Sequence, residues 1–288
     1  MIARVLRFPL VRLVLIVLAF ATLITPLVLA VHPPLPLWGS IAMSWILAAA
    51  VAVVLIGVER FTVGKPPAAI GFDPHHAARD LLLGGALGTA LFSIVIAELA
   101  IGGYYRVSAV HVPPGLAIAV LLLLPGAAFE EILFRGVIFR LIQEWGGTWI
   151  ALAVSAVIFG LVHSKNPGAT WISTLAIALE AGVLLAAAFV VTRNLWLPIG
   201  LHFAWNFCEG PVYGTQVSGH AFVSSVLLAR ISGPAIFTGG SFGPEAGLAA
   251  IVTCVAAAVA LLLVAARRSL IVPPSWVRSD AAQFARVR

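Results

Sequence analysis

Charge is scarce in this chain. Asp, Glu, Lys and Arg make up 10% of 288 residues, against 61% hydrophobic residues. Mean hydropathy is +1.09. A soluble globular domain carries about 25% charged residues, so that class is excluded. Cysteine is equally scarce. Cys208 and Cys254 lie in or beside apolar runs, form neither a disulfide framework nor a metal knuckle, and are expected to be packing residues. Aspartate is limited to Asp73, Asp80 and Asp280, which lie in loops or the tail, so an aspartyl dyad within the membrane is excluded. The chain also lacks His-Glu-x-x-His, Gly-x-Ser-x-Gly, any internal repeat and any second soluble domain.

Long apolar runs are what remains. Several reach or exceed the roughly 18 residues that a helix needs to cross hydrocarbon. They predict an all-α, polytopic transmembrane bundle of about eight spans: 13–31, 38–58, 81–101, 115–145, 148–163, 169–192, 195–207 and 248–266. His32-Pro33-Pro34 ends the first. Val28 and Ala30 would suit a signal-peptide cleavage site, but the run is long enough to span and others follow, so it reads as an uncleaved helix. The polar segment 59–80 reads as a loop, and its His75-His76 pair as exposed rather than metal-binding. Gly84-x-x-x-Gly88 predicts close helix contact, and the Gly-rich segment 209–247 is expected to cap the outer side. The organisation is 1–80, variable N-terminal helices and cytoplasmic loop; 81–266, the core; and 267–288, a basic cytoplasmic tail.

The net charge of +6 and pI near 10.1 would fit nucleic acid if the basic residues formed one patch. They do not. With both termini cytoplasmic, every Lys and Arg except Arg106, Lys165 and Arg230 falls on the inner face, as orientation and contact with anionic lipid require. The expectation is a multi-pass protein of a bacterial plasma membrane, with the lipid bilayer as partner and no nucleic acid.

Against this background, PGAAFEEILFRGVIFR at 125–140 stands out, because ionisable residues within spans are costly and read as functional by default. Residues four apart share a helix face while neighbours diverge by about 100°. Glu131 is thus placed to pair with Arg135, which leaves Glu130 without a fixed cation. One glutamate reads as structural and the other as available; in the blander reading both only hold helices together. His163 ends the fifth span, and His202 and Asn206 share a face of the seventh. At 1.5 Å per residue His202 lies about 12 Å deep, Asn206 about 18 Å, His163 about 21 Å and Glu130 at or below about 22 Å. The four can meet in one layer. They suit hydrolysis: Glu130 as general base for a water that His163 also holds, His202 and Asn206 as oxyanion donors. A zinc site of Glu130, His163 and His202 is the alternative. Glu180 sits mid-span without a cation and reads as lining the cavity or bonding a neighbouring helix. Glu98 reads as interfacial.

Glu130-Glu131-x-x-x-Arg135, Phe159-x-x-x-His163 and His202-x-x-x-Asn206 resemble, in order, the EExxxR, FxxxH and HxxxN motifs of the CAAX prenyl protease type II and bacteriocin-processing family, also called Abi or CPBP. FRG after the acidic pair, LWLPIGLHFAWNF and GGSFGPEAG are similar too, and the likeness runs over roughly 81–266. The resemblance implies an intramembrane endopeptidase acting on a membrane-associated protein or peptide, either a prenylated CAAX protein or a bacteriocin-like peptide. It also implies that Glu130 and His163 activate water and that His202 and Asn206 stabilise the oxyanion, with Glu131 and Arg135 supporting the site. The family is commonly labelled a metalloprotease. The preferred reading here needs no cofactor, with zinc as the alternative. Two rival functions are a non-catalytic immunity or scaffold protein of the same fold and a transporter, the latter without the inverted repeat such folds carry.

Overall fold

Apolar chain inside a bilayer must satisfy its backbone internally, so such runs become helices. The computed structural model describes residues 2–30, 35–222 and 224–278. Apart from two short helices, Ile2–Leu6 and Ala235–Thr238, the α-helices are α1 (Pro9–Ala30), α2 (Leu37–Val63), α3 (Ala77–Ile101), α4 (Leu116–Glu131), α5 (Arg140–His163), α6 (Trp171–Ile177), α7 (Val183–Thr192), α8 (Trp196–Phe207) and α9 (Leu248–Arg267). π-helical turns at Ile132–Phe139 and Ala178–Gly182 join α4 to α5 and α6 to α7, and a third, Cys208–Val212, extends α8. The protein is an integral, multi-pass membrane protein. Among the described residues, six helical stretches are long and apolar enough to span. One of them, Leu116–His163, contains both the fourth and fifth expected spans, broken at Gly147 (φ 80°, ψ 176°). The seventh, α8, is only 12 residues long. The break at His32-Pro33-Pro34 and the basic residues Arg286 and Arg288 lie outside the described residues.

The polar loop is shorter than the sequence suggests. Glu59 lies inside α2, fully buried, because Arg12 of α1 and Arg140 of α5 grip its carboxylate at 2.7 and 3.0 Å. Hydropathy alone cannot anticipate a charge neutralised by another helix. Asp80 is likewise inside α3 and buried, paired with Arg79 at 2.9 Å. His75 and His76 belong to a turn capped by Asp73, whose carboxylate accepts from the His75 amide at 3.0 Å and meets His76 Nδ1 at 2.7 Å. The hydrogen bond with His76 is the main reason that the Asp73 carboxyl sits below its ordinary range.

Within the Gly-rich stretch, β2 (Leu227–Ile231) pairs antiparallel with β1 (Tyr105–Val110), and Arg106 stands opposite Arg230. Neither strand was anticipated, since a pairing across more than a hundred residues leaves no local periodicity. The juxtaposition does put two of the three exceptional basic residues together.

The contact between α3 and α8 positions the polar constellation. A Cβ on Gly84 would stand 2.2 Å from the Leu197 carbonyl, one on Gly88 2.3 Å from that of Leu201, and one on Gly200 2.3 Å from that of Leu81. The backbones touch, as the Gly-x-x-x-Gly spacing predicts, and α8 carries His202 and Asn206. Gly88→Leu is therefore expected to drive the helices apart at a cost of about 1–3 kcal/mol or more. Gly85, whose Cβ would meet nothing within 4 Å, is the control. Thermal unfolding of the two leucine variants in detergent checks this; equal melting temperatures would remove the packing argument.

Candidate active site

Helical spacing puts Glu131 one turn before Arg135, and the two are paired at 2.8 Å with both side chains buried. The same Glu131 Oε1 also meets His202 Nδ1 at 2.8 Å. Sequence spacing did not show this second bond. Glu131 is thus more than a brace for Arg135: it orients the histidine of α8. Arg135 reaches further, donating through Nη2 to the carbonyls of Ala181 (2.9 Å) and Gly182 (3.3 Å). Both residues lie within the π-helical turn Ala178–Gly182 between α6 and α7, where the i→i+4 ladder is interrupted and carbonyls become available. The guanidinium also lies 4.6 Å from the centre of the Phe159 ring, a cation–π distance. One cation ties α4, α5 and the turn between α6 and α7 together around the polar residues.

His163 Nδ1 stands 2.7 Å from the Phe159 carbonyl. A carbonyl only accepts, so Nδ1 carries the proton, leaving Nε2 for other partners. That Nε2 is 3.9 Å from Glu130 Oε2, and His202 Nε2 is 4.0 Å from the same oxygen. Oε2 is buried and makes no direct hydrogen bond. The separations are too long for direct bonds, but two legs of about 2.8 Å meeting near a right angle span them. One water can therefore touch Glu130 and a histidine at once. Glu130, His163, His202 and Asn206 all line a cavity of about 500 Å³. The structure brings the four predicted residues to one place.

The zinc alternative fits less well. Ligands on tetrahedral zinc at about 2.0–2.1 Å lie roughly 3.3 Å apart, shorter than the 3.9 and 4.0 Å found here. Among the described residues no group of three His, Cys, Asp or Glu side chains is arranged to hold a metal ion.

Sequence reasoning missed one cluster. Glu180, Glu209 and Glu245 are all buried, and Glu245 lies against Ser218 and Glu209. Glu180 and Glu245 share with His163, His202 and Asn206 a second, smaller cavity of about 30 Å³ of space for water centres, enough for a water or two. Burial pushes the Glu245 carboxyl above the ordinary carboxylate range, against the pull of Ser218, Glu209 and His163. Glu180 was visible as an unpaired mid-span acid, and it does line a cavity. Glu209 and Glu245 sit in the Gly-rich stretch, where hydropathy marks nothing; the GGSFGPEAG run was the available signal. Glu98 is at the far end of α3, exposed, and accepts from Thr253 at 3.4 Å. Cys208 and Cys254 are buried thiols.

Comparison with known proteins points the same way. Residues 112–208 match the family described as "Type II CAAX prenyl endopeptidase Rce1-like". This segment is similar to that family. It covers about a third of the chain and contains all three motifs, while Glu209 and Glu245 fall just beyond or well beyond it. The likeness to GGSFGPEAG therefore lies outside the matched segment. The "Putative membrane peptidase YdiL" of Bacillus subtilis (strain 168) is 32% identical over 81 residues, which is 28% of this chain and 31% of that protein. The chain thus spans about a third of the length of this curated relative. No solved structure matches.

Proposed function

We propose that this protein is an intramembrane endopeptidase in which Glu130 and His163 activate a water and His202 and Asn206 stabilise the oxyanion. The observation that carries the reading is the pair of water-sized gaps, 3.9 and 4.0 Å, between the unbonded Glu130 Oε2 and the two histidine Nε2 atoms. A carboxylate of that kind takes the proton of the attacking water and later gives it to the leaving amine. His163, its Nδ1–H fixed by the Phe159 carbonyl, presents Nε2 as an acceptor to the same water. His202 is held through Nδ1 by Glu131. Donation from its Nε2 to an oxyanion requires the imidazolium, whose charge, together with that of Arg135, faces the two carboxylates Glu130 and Glu131. Asn206, one turn further along α8 on the same cavity wall, supplies a neutral donor. The apolar surroundings suit a membrane-associated protein or peptide, of the prenylated CAAX or bacteriocin-like kind.

The test separates substrate and metal together. Purified protein in lipid nanodiscs is offered a farnesylated CAAX peptide, its unprenylated form and a bacteriocin-like leader peptide, with and without a strong zinc chelator. Cleavage of at least one peptide, undiminished after chelation and dialysis, is expected. Activity lost to the chelator and restored only by stoichiometric zinc would overturn the water-activating role of Glu130. Cleavage of none of the three would leave the scaffold reading in its place.

A further inference from the structure

Glu98 is a carboxylate without a cation among the described residues. Its one side-chain bond there is the long one from the Thr253 hydroxyl, 3.4 Å. It lies in the last turn of α3, which carries no basic residue, although the carbonyl end of a helix favours a cation. Ile94 and Ile101, four residues before it and three after, share its helix face and are exposed, so this face of α3 meets lipid. Leu248 and Val252, one turn apart on α9, are exposed in the same way. Between the two helices, Glu98, Tyr104, Phe237, Leu248 and Val252 line a cavity of about 270 Å³.

The aromatic wall of this cavity is held in place and leads to two arginines. Tyr104 stacks on Phe237 with ring centres 5.5 Å apart. Its amide donates to the Leu99 carbonyl at 2.8 Å, and its carbonyl accepts from the Ser232 amide at 2.9 Å. Tyr105 turns inward, its hydroxyl donating to the Tyr213 carbonyl at 2.8 Å. Strand alternation therefore puts Arg106 on the outward face with Tyr104, about 7 Å along the chain. Arg230 stands directly opposite Arg106. Both are exposed, and among the described residues neither guanidinium has a partner. Like charges directly opposite each other weaken a ribbon, and an anion lying across the two would relieve that repulsion.

We propose that Glu98, Tyr104, Arg106 and Arg230 together bind the zwitterionic head group of a phospholipid that carries a primary ammonium, phosphatidylethanolamine. The ammonium meets the Glu98 carboxylate and the carbonyl end of α3. The phosphate meets the paired guanidiniums, whose flat forks match its oxygens. The acyl chains run along the exposed apolar faces of α3 and α9. Tyr104 stands between the two charged parts, and tyrosine rings settle at head-group level in a membrane. The site is independent of the peptidase reading: none of its four residues lines the cavities around His163 and His202.

The full chain in a neutral detergent is titrated with short-chain phosphatidylethanolamine, with phosphatidylglycerol and phosphatidylcholine of equal chain length, and with phosphoethanolamine, which lacks the chains. Native mass spectrometry counts the lipid retained, and thermal unfolding follows the shift in melting temperature. Phosphatidylethanolamine is expected to be retained at one per chain and to raise the melting temperature. Phosphatidylglycerol has no ammonium, and the methylated ammonium of phosphatidylcholine donates no hydrogen bond. These two and phosphoethanolamine are expected to bind about tenfold more weakly, the scale of one charged hydrogen bond. Glu98→Gln keeps an acceptor for Thr253 and is expected to bind phosphatidylethanolamine about tenfold more weakly, with phosphatidylglycerol bound no less well. An Arg106→Gln, Arg230→Gln double variant, at two exposed positions, is expected to weaken both lipids about tenfold. If it does not fold, Arg230→Gln alone serves, with a weakening of about threefold expected from one of the two phosphate partners. Equal binding of phosphatidylglycerol, phosphatidylcholine or phosphoethanolamine, no binding of phosphatidylethanolamine, or unchanged affinity in the variants would each overturn the proposal.

Discussion

Glu130→Gln is expected to lower the rate of peptide hydrolysis by about 10²–10⁴, the usual contribution of a positioned general base, while leaving the fold intact. The side chain is about a third exposed and its buried oxygen accepts no direct hydrogen bond, so an amide of the same shape strands no partner. The readout is single-turnover cleavage of whichever peptide the protein cuts, with the melting temperature measured in parallel. Loss of cleavage at unchanged melting temperature is the expected pair of results. A variant that cleaves at the original rate would remove Glu130 from the chemistry. If it also kept any protective phenotype in cells, the non-catalytic immunity or scaffold reading would stand.

Glu131→Ala is expected to act on the other side of the same dipeptide. It removes the carboxylate shared by Arg135 (2.8 Å) and His202 (2.8 Å), and Arg135 is left buried without its counter-charge. Breaking a buried ion pair from one side costs about 3–5 kcal/mol. The carbonyls of Ala181 and Gly182 still accept from Arg135, which places the expectation at the lower end. The loss should appear in unfolding in detergent, well beyond any change in the Glu130→Gln variant. Glu131→Gln keeps an acceptor for both donors and should recover part of the stability. An alanine variant as stable as the original would contradict the structural role, whatever its activity.

The contrast between these neighbours was legible in the sequence because helical geometry is local. Four residues make a turn, so Glu131 and Arg135 had to share a face and Glu130 had to leave it. The same rule placed His202 and Asn206 together on α8, and the Gly84-x-x-x-Gly88 spacing marked the contact that holds α8 in position. The partner of His202 was not legible. Its Nδ1 meets a carboxylate 71 positions earlier, and no periodicity within either helix encodes that meeting. The same holds for Glu59, which hydropathy assigned to a loop until Arg12 and Arg140 are seen beside it. It holds again for Glu209 and Glu245, carried by segments whose composition promised only turns.

What the sequence determined by itself was everything that depends on solvent and on distances of a few residues. Lack of charge and length of apolar runs demanded membrane helices, because a bilayer offers the backbone no other partner. Turn-by-turn spacing sorted the ionisable residues into paired and unpaired. What only the tertiary structure decided was which carboxylate serves which cation. Charges in a medium of low dielectric are governed by their nearest neighbours in space. Those neighbours come from helices whose order along the chain says nothing of their order in the bundle. The dipeptide Glu130-Glu131 shows both halves: spacing made the two residues different, and packing against α5 and α8 made one of them the keeper of His202 and left the other facing a gap the size of a water.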